Sequence, residues 1–253
     1  MSKNNIKEHW NLIALEYQKK RKLSFDDIEY ALGYARESDL NLPGDDEEKR
    51  IVELGCGAAE NSITLAKKGG ICTGVDISLE QLKYAKNSIV ENKVKIELIE
   101  GDIENLIMID DDIFDIAISI FALDWMQDLN AAFKEAYRIL KPNGIFVFSM
   151  QHPIYNLLGA EDLDLKELKI SGSYFEKEAT FVESTEIDLR VHASKISDII
   201  NGLIRIGFNI ENILEPKPLE RDIFPHEEWY RKEIMEMIPS TLIYKVLCAD
   251  IIC

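Results

Sequence analysis

Long hydrophobic runs are absent from this 253-residue sequence. The longest candidate, STLIYKVLCADIIC, is interrupted by Lys245 and Asp250 and is too short to cross a bilayer. The first residues, MSKNNIKEHW, contain no apolar segment of the kind that signal peptides carry. We therefore expect a cytoplasmic protein without a leader peptide or a membrane span.

Cysteine, histidine and positive charge are also scarce. The four cysteines and four histidines lack the paired spacing of zinc or disulfide sites, so we expect no bound metal. Acidic residues number 46 against 29 basic ones, which gives a formal net charge of −17. A surface this negative repels phosphate backbones and anionic lipids. We expect neither a nucleic-acid nor a membrane partner, and the oligomeric state stays open.

Short runs of branched and aromatic residues alternate with amphipathic segments after residue 50. We interpret the segments near 60–68, 79–92 and 130–139 as helices. The runs, which predict β-strands, are IVELG (51–55), ICTGVD (71–76), VKIELIEGD (94–102), IFDIAISIF (113–121) and GIFVFSM (144–150). This alternation is typical of an α/β fold with a doubly wound parallel sheet and helices on both faces.

The flanking segments complete a predicted single domain over 1–253. Residues 1–45 are predicted to form a cap of two amphipathic helices, and 46–152 the ligand-binding core. Between 153 and 191 the alternation breaks, and this long connection predicts an insertion that covers a ligand site. Residues 192–253 add a helix and two strands, which complete a seven-stranded, mostly parallel sheet.

The first core strand ends in ELGCGAAEN, a turn that can approach a ligand. Ligands of open parallel sheets bind beyond the carboxyl ends of the strands, where the strand order reverses. Gly55 and Gly57 let the backbone pass close to a ligand without a side-chain clash. A dinucleotide fingerprint requires a small residue where Glu60 stands, and this carboxylate repels a pyrophosphate. The turn therefore favours a cofactor without phosphate.

Carboxylates close the next two strands. Asp76 stands about twenty residues after the glycines, where a carboxylate accepts hydrogen bonds from ribose hydroxyls. Asp102 occupies the same place one strand later, within reach of an adenine amino group. Together with Glu53 they predict an acidic rim that favours a cation. A nucleoside that carries an ammonium and a sulfonium group fits this rim better than a dinucleotide does.

The motifs VELGCGAAENSITLAKKG, GVDISLEQLKYAK, IEGDIENL, FDIAISIFALDWMQD and ILKPNGIFVFSMQHP resemble those of the class I S-adenosylmethionine-dependent methyltransferases over residues 50–153. The resemblance implies a Rossmann-like methyltransferase fold and S-adenosyl-L-methionine as cofactor, with S-adenosyl-L-homocysteine as product. Counting neighbouring positions and the N-terminal cap, the candidate cofactor-binding residues are Tyr30, Glu53, Gly55, Cys56, Gly57, Asn61, Asp76, Ile77, Gln81, Asp102, Ile103, Ser119 and Phe121.

The resemblance also implies roles for these positions. Glu53 and the two glycines would shape the pocket for the methionine part, while Asp76 holds the ribose. Asp102 and Ile103 would frame the adenine, and Ser119 and Phe121 lie where the family's fourth strand passes the sulfonium. Ala59 departs from the pattern, since many members carry a third glycine there. Tyr30 and its neighbour Tyr34 could reach over the cofactor from the cap, although a tyrosine on an amphipathic helix is more often a core residue.

Three residues are candidates for the acceptor side. His152 follows the fifth strand and is expected at the ligand edge of the sheet, although a plain surface position stays open. His192 precedes a predicted helix, and Asp124 follows the fourth strand, where the family places substrate contacts. Because imidazole titrates near neutral pH, His152 is the first candidate for a general base and His192 the second.

The predicted function is methyl transfer to a small-molecule acceptor by in-line displacement. The N-terminal helices and the long connection resemble those of the subgroup that acts on small molecules. A nicotinamide (NAD)-dependent oxidoreductase on a similar sheet is one alternative, which Glu60 disfavours. A non-catalytic S-adenosylmethionine-binding protein is another, and the binding motifs alone do not separate it from an enzyme.

Overall fold

A computed structural model describes residues 3–20, 25–31, 33–158, 169–170, 172–176, 178–181, 190–192, 194–219 and 232–249. Seven helices and eleven strands lie in these ranges. In chain order they are α1 (Lys3–Lys20), β1 (Glu29–Ala31), β2 (Tyr34–Arg36), α2 (Glu37–Leu40), β3 (Arg50–Leu54), α3 (Glu60–Lys67), β4 (Ile71–Asp76), α4 (Leu79–Asn92), β5 (Ile96–Glu100), β6 (Phe114–Ile120), α5 (Leu129–Ile139), β7 (Leu140–Gln151), β8 (Glu178–Phe181), β9 (Arg190–His192), α6 (Ile196–Ile206), β10 (Phe208–Leu214), α7 (Lys232–Met235) and β11 (Thr241–Cys248).

Seven of the strands form one sheet in the order β10-β11-β7-β6-β3-β4-β5. Neighbouring strands from β7 to β5 are parallel, whereas β11 runs antiparallel to both of its neighbours. The prediction of a seven-stranded, mostly parallel, doubly wound sheet is confirmed. Strand order reverses between β3 and β6, so a crevice is expected at the carboxyl ends of these two strands.

Two apolar cores cover opposite faces of the sheet, as the alternation of side chains along a strand requires. On β7, Phe146 and Phe148 belong to one core with α5 and α6, whereas Val147 belongs to the other. The ring of Phe148 stacks on Tyr244 of β11 with the centroids 4.8 Å apart. The central strands are therefore covered on both faces, as in other parallel sheets.

The second predicted helix of the N-terminal cap is wrong. Residues 29–36 form an antiparallel hairpin, in which Glu29 pairs with Arg36 and Ala31 with Tyr34. Apolar spacing there fits a helix, but Gly33 has a φ of 85° and Ala35 a φ of 54°, and these left-handed conformations reverse the chain. Of the two predicted helices, only the first is present, as α1, and a four-residue helix, α2, follows the hairpin.

The predicted insertion at 153–191 lies partly outside the described residues. Its described part includes β8, which pairs with β9 in a separate two-stranded sheet. Strand β9 packs against a short 3₁₀ helix, Leu123–Trp125, that follows β6. A covering role for the insertion stays a prediction. In the described ranges, every helix is too short or too polar to cross a membrane.

Candidate functional site

The turn after β3 folds back onto the end of β4. The backbone N–H groups of Gly55 and Cys56 both donate to the Val75 carbonyl, at 2.8 and 2.9 Å. Gly55 and Gly57 have φ angles of 76° and 52°, and Ala59 follows with 63°. Ala59 therefore keeps the left-handed conformation for which glycine is favoured, and it is the residue directly before α3.

The two glycines differ in what surrounds them. A Cβ atom on Gly55 would lie 2.1 Å from the Cβ of Ala122, so this position is closed by the segment after β6. A Cβ on Gly57 would meet nothing within 4 Å. Gly55 thus fixes the contact between two strand ends across the crevice, while Gly57 faces open space in which a ligand fits.

Asp76 holds this turn in place. Its Oδ2 accepts from the Gly57 N–H and its Oδ1 from the Ser78 N–H, both at 2.8 Å. Burial raises the pKa of Asp76, and the amide bonds oppose that shift. A carboxylate offers about four acceptor positions, so Asp76 keeps capacity for ligand hydroxyls.

Glu53 is not part of an open acidic rim, which corrects the expectation. Its side chain is buried, and it accepts hydrogen bonds from Asn61 Nδ2 at 2.8 Å and from the N–H and hydroxyl of Ser62. Desolvation raises the pKa of Glu53 to about 7, which these donors only partly offset. Glu53 therefore anchors the first turn of α3 to β3, because buried carboxyl oxygens require donors.

Asn61 and Cys56 also face the protein. The side-chain amide of Asn61 donates to Glu53. The Cys56 sulfur lies against Gly74 of β4, since a Cβ atom on Gly74 would be 2.9 Å from that sulfur. Burial raises the pKa of the Cys56 thiol well above its usual value, which excludes a thiolate nucleophile at neutral pH. Their contribution to a cofactor site is limited to shaping the turn.

The end of β5 lies beside the glycine turn. Ile103 is buried, and its Cδ1 is 3.5 Å from the position of a Cβ on Gly55. Asp102 is half-buried, and its Oδ1 accepts from the Glu104 N–H at 2.9 Å. Ile77 directly follows Asp76 on the neighbouring strand and is partly exposed. The structure thus brings Asp102, Ile103 and Ile77 to the same edge, and their contacts with adenine stay a prediction.

Ser119 does not face the crevice. It is fully buried and its hydroxyl donates to the Leu54 carbonyl at 2.9 Å, so it joins β6 to β3. The expected position beside the sulfonium is therefore wrong for Ser119. Phe121 stays a candidate, since it is partly exposed and has a φ of 56°, a strained conformation for an aromatic residue. Its N–H donates to the Ser149 carbonyl at 3.0 Å.

Neither tyrosine of the N-terminal cap reaches a cofactor. Tyr30 lies on strand β1, is fully buried, and donates its hydroxyl to Glu37 Oε2 at 2.8 Å. Tyr34 is also buried, with its hydroxyl 2.6 Å from that of Ser240. Both are core residues whose hydroxyls are satisfied, as buried tyrosines usually are.

His152 is buried at the end of β7, which contradicts the expected ligand-edge position. Its Nε2 lies 2.8 Å from Glu215 Oε1, and its Nδ1 accepts from the Ile154 N–H at 3.1 Å. Burial lowers the pKa of His152, although Glu215 opposes that shift. Because both ring nitrogens are engaged, His152 fixes the chain after β7 and has no nitrogen for a substrate proton.

Asp124 and His192 belong to two elements that pack against each other. Asp124 lies in the 3₁₀ helix after β6, and the backbone of His192 is in strand β9, which packs against that helix. The carboxylate of Asp124 accepts from the Gln151 N–H at 3.1 and 3.2 Å. It is partly exposed, yet protein atoms surround it densely, and this desolvation raises the pKa of Asp124 to about 7.

Helix α1 lies across this edge, and sequence reasoning missed the residues that dock it. The Oδ1 of Asn11 accepts from the Ser78 hydroxyl at 2.8 Å, and Gln18 Nε2 donates to Gln81 Oε1 at 2.7 Å. Farther along the edge, the ring of Trp125 packs on Trp10 of α1, with the centroids 5.0 Å apart. Helical periodicity identified α1 but carries no information about its partner surface.

The residues present fit an adenosyl cofactor with a cationic end. Gly57 faces open space, Asp76 has spare acceptor capacity, and the buried Nε2 of Gln81 has no hydrogen-bond partner among the described residues. All three positions lie at the carboxyl ends of β3 and β4, where ligands of this fold class bind. Glu60 is buried at the start of α3, where a pyrophosphate would require unopposed amides.

Comparison with known proteins agrees with this geometry. Residues 52–148 match the family model described as "Methyltransferase domain". Malonyl-[acyl-carrier protein] O-methyltransferase of Priestia megaterium is 29% identical over 151 residues, which are 59% of this chain and 52% of that protein. Ubiquinone/menaquinone biosynthesis C-methyltransferase UbiE of Rhodopseudomonas palustris is 33% identical over 113 residues, 43% of this chain and 44% of that protein.

A solved structure extends the likeness of the fold. An S-adenosylmethionine-dependent methyltransferase from Mesorhizobium loti superposes with a TM-score of 0.68, over 83% of this chain and 95% of that one, at 24% identity. The chain spans about half the length of the curated relatives it matches. The family match itself falls on residues 52–148, which run from β3 into β7.

Proposed function

We propose, from the premise that residues 52–148 form a class I S-adenosylmethionine-dependent methyltransferase domain, that the chain transfers a methyl group to a small-molecule acceptor. One observation carries this proposal. The glycine turn is held by Asp76 through the Gly57 N–H, while the outer side of Gly57 is left open. A turn that is rigid on one side and open on the other is preorganised for a ligand.

Each part of the cofactor has candidate partners among these residues. Asp76 would accept hydrogen bonds from the ribose hydroxyls, and Asp102 with Ile103 would frame the adenine. Gly55 and Gly57 would leave room for the methionine part. Asp76 and Asp102 are both acidic, which suits a ligand with an overall positive charge.

The chemical task of the chain is alignment. S-adenosylmethionine supplies an electrophilic methyl group. Residues at the ends of β6 and β7 would orient the acceptor in line with it, and α1 would keep water from this edge. Holding two reactants in line can contribute roughly 7 to 11 kcal/mol to lowering a barrier. A base in the protein is needed only when the methyl acceptor arrives protonated.

The relatives support a small acceptor. One is named for malonyl-[acyl-carrier protein] and the other for ubiquinone and menaquinone biosynthesis. The net charge of −17 disfavours a nucleic acid or an anionic membrane as partner. Cys56, Cys72 and Cys248 are buried and unpaired, which fits the reducing cytoplasm that we propose as the location.

Calorimetry and methyl transfer test the proposal separately. We expect the purified chain to bind S-adenosylmethionine and S-adenosylhomocysteine and to show no heat of binding with NAD. Preference for NAD would overturn the cofactor assignment. Incubation with radiolabelled S-adenosylmethionine and a panel of small amines, phenols and acids should label at least one compound. Binding without transfer to any compound, including those of a cell extract, would favour a non-catalytic binder instead.

A further inference from the structure

We propose that the methyl acceptor is an amine and that Asp124 binds its ammonium form and removes the proton. This inference rests on the proposed function and deepens it, because it names the nucleophile and the residue that prepares it. The position of Asp124 provides the first argument. It lies four residues past the end of β6, next to the point where the strand order reverses, and Ala122 of the same segment contacts the glycine turn.

The hydrogen bonding of Asp124 is incomplete. Its two oxygens share one donor, the Gln151 N–H, and no other hydrogen bond or ion pair involves them among the described residues. A carboxylate accepts up to about four hydrogen bonds. Buried carboxylates elsewhere in the core are more fully served, as Glu53 is by three donors. Asp124 therefore has the free acceptor capacity that an ammonium group, with its three donors, would use.

Among the described residues, no hydrogen bond or ion pair joins Asp124 to a cation. On α1, His9 stacks against Trp125 at 5.7 Å, and burial lowers the pKa of His9. Glu104, in the loop after β5, is engaged by the Gln127 N–H at 2.6 Å. His152 on the adjoining strand is paired with Glu215. Strand β9, which packs against the 3₁₀ helix that carries Asp124, also carries Arg190 and His192, whose side chains lie outside the described residues.

This environment selects the charge of the acceptor. A partly enclosed carboxylate with no cationic partner among the described residues attracts a cation and repels carboxylates, phosphates and phenolates. The adjoining rings of Trp125, Trp10 and Tyr17 add apolar and aromatic surface, which is compatible with an alkylammonium or arylalkylammonium group. Among amines, phenols, thiols and carboxylic acids, only the amines are cations at neutral pH.

The chemistry balances without another reactant. Asp124 takes one proton from the ammonium, which yields a neutral amine and a protonated carboxyl group. The nitrogen lone pair then forms the new nitrogen–carbon bond while the bond between the methyl carbon and sulfur breaks, and that electron pair stays on sulfur. Asp124 returns its proton to solvent afterwards. Desolvation of the carboxyl raises the pKa of Asp124 to about 7, which suits a group that must accept and release a proton near neutral pH.

The nature of the acceptor atom is the first test. The chain is incubated with S-adenosylmethionine that carries a trideuterated methyl group and with a deproteinised bacterial metabolite extract, and labelled products are identified by mass spectrometry. We expect the label on nitrogen. A label on oxygen, carbon or sulfur alone would overturn the inference while leaving the proposed function intact. Absence of any labelled product would overturn both.

The variant Asp124→Asn tests the role of the carboxylate, since asparagine keeps an oxygen for the Gln151 N–H and loses the charge. We expect wild-type affinity for S-adenosylmethionine by calorimetry and at least about a hundredfold lower turnover of the labelled amine, with loss of the rise in rate around pH 7. Binding of the amine to protein saturated with S-adenosylhomocysteine should also weaken about tenfold or more.

Asp110→Asn is the matched control, because Asp110 is exposed and the substitution changes the net charge equally. It should leave turnover, pH profile and amine binding unchanged. Equal loss in both variants would assign the effect to overall charge and refute the inference. An Asp124→Asn enzyme with the wild-type pH profile would refute it as well.

Discussion

Glu53 and Asp124 show how differently two carboxyl groups are treated at the two ends of one crevice. Desolvation raises the pKa of both to about 7. Glu53 receives three hydrogen bonds from the first turn of α3, whereas Asp124 receives only the Gln151 N–H. The hydrogen bonds of Glu53 are therefore largely supplied by the protein itself, whereas Asp124 retains acceptor capacity for a ligand.

The difference teaches how this site combines rigidity with reactivity. Donors to Glu53 and Asp76 fix the glycine turn before any ligand binds. Asp124 is partly exposed and has fewer donors, which leaves a carboxyl group that a bound cation would stabilise. Hydrogen bonds to Glu53 and Asp76 thus stabilise the glycine turn, whereas Asp124 keeps acceptor capacity for a ligand.

The largest effect is expected from replacing Gly55, which should lower the stability of the fold. In Gly55→Ala the new methyl group overlaps Ala122 and the left-handed φ becomes costly, so we expect at least about 3 kcal/mol lower stability or failure to fold. Urea unfolding measures the loss. Gly57→Ala is the matched control, because its methyl group enters open space and should cost only about 1 kcal/mol.

The same pair sharpens the site assignment. Gly57→Ala should weaken binding of S-adenosylmethionine roughly tenfold or more, since the methyl group occupies the proposed ligand space. Wild-type affinity in Gly57→Ala would place the ligand elsewhere, and wild-type stability in Gly55→Ala would contradict the tight contact with Ala122.

The next largest expected effect concerns how Glu53 makes the unfolding free energy depend on pH. Its pKa is raised from 4.5 to about 7, so the folded state holds this proton more tightly than the unfolded chain does. The contribution to stability is full below pH 4.5 and is lost as the pH rises to about 7, by up to about 3 kcal/mol. In Glu53→Gln this loss should disappear. The unfolding free energy of the variant should therefore rise relative to that of the wild type between pH 5 and 8.

Parallel stability curves for Glu53→Gln and wild type would show that Glu53 is not the titrating group. Asp110→Asn again serves as the charge control, because Asp110 is exposed and the substitution removes the same charge. The comparison isolates Glu53 because Asp124, which also titrates near neutrality, is present in all three proteins.

Asp76→Asn tests the link between the turn and the ligand. The amide replaces one of the two acceptor oxygens, so either the Gly57 or the Ser78 N–H loses its partner. We expect affinity for S-adenosylmethionine to fall about 10- to 100-fold, the range for hydrogen bonds to a charged group. Calorimetry measures it, and an unchanged dissociation constant would remove Asp76 from the cofactor site.

Two buried serines give the smallest effects. Ser119→Ala should lower the unfolding free energy by about 1 kcal/mol, because the Leu54 carbonyl loses its donor, and should leave cofactor affinity within about twofold. Ser149→Ala should be neutral or slightly stabilising, because its buried hydroxyl has no partner among the described residues. Chemical denaturation of both variants checks the contrast; a weaker cofactor affinity in Ser119→Ala would restore its sulfonium role.

Much of the fold was predictable from local patterns. The strand at 71–76 and the helix at 79–92 have the predicted bounds, and β10 and β11 were both anticipated. The hairpin at 29–36 was not, because apolar spacing there agrees with a helix and the deciding left-handed residues are invisible to periodicity. Candidate site residues were predicted by position along strands, which does not reveal the direction of a side chain at a strand end.

By itself the sequence determined the order of strands and helices along the chain, the glycine turn and the acidic residues near the ends of β3, β4 and β5, because these depend on residues close in the chain. Only the tertiary structure decided which of the candidate side chains stay available to a ligand. Glu53 is saturated by α3, His152 is engaged by Glu215, and Asp124 meets a single N–H from β7. Whether a buried polar group is available to a ligand depends on how many hydrogen-bond donors distant segments bring to it. Those segments meet only when the chain folds.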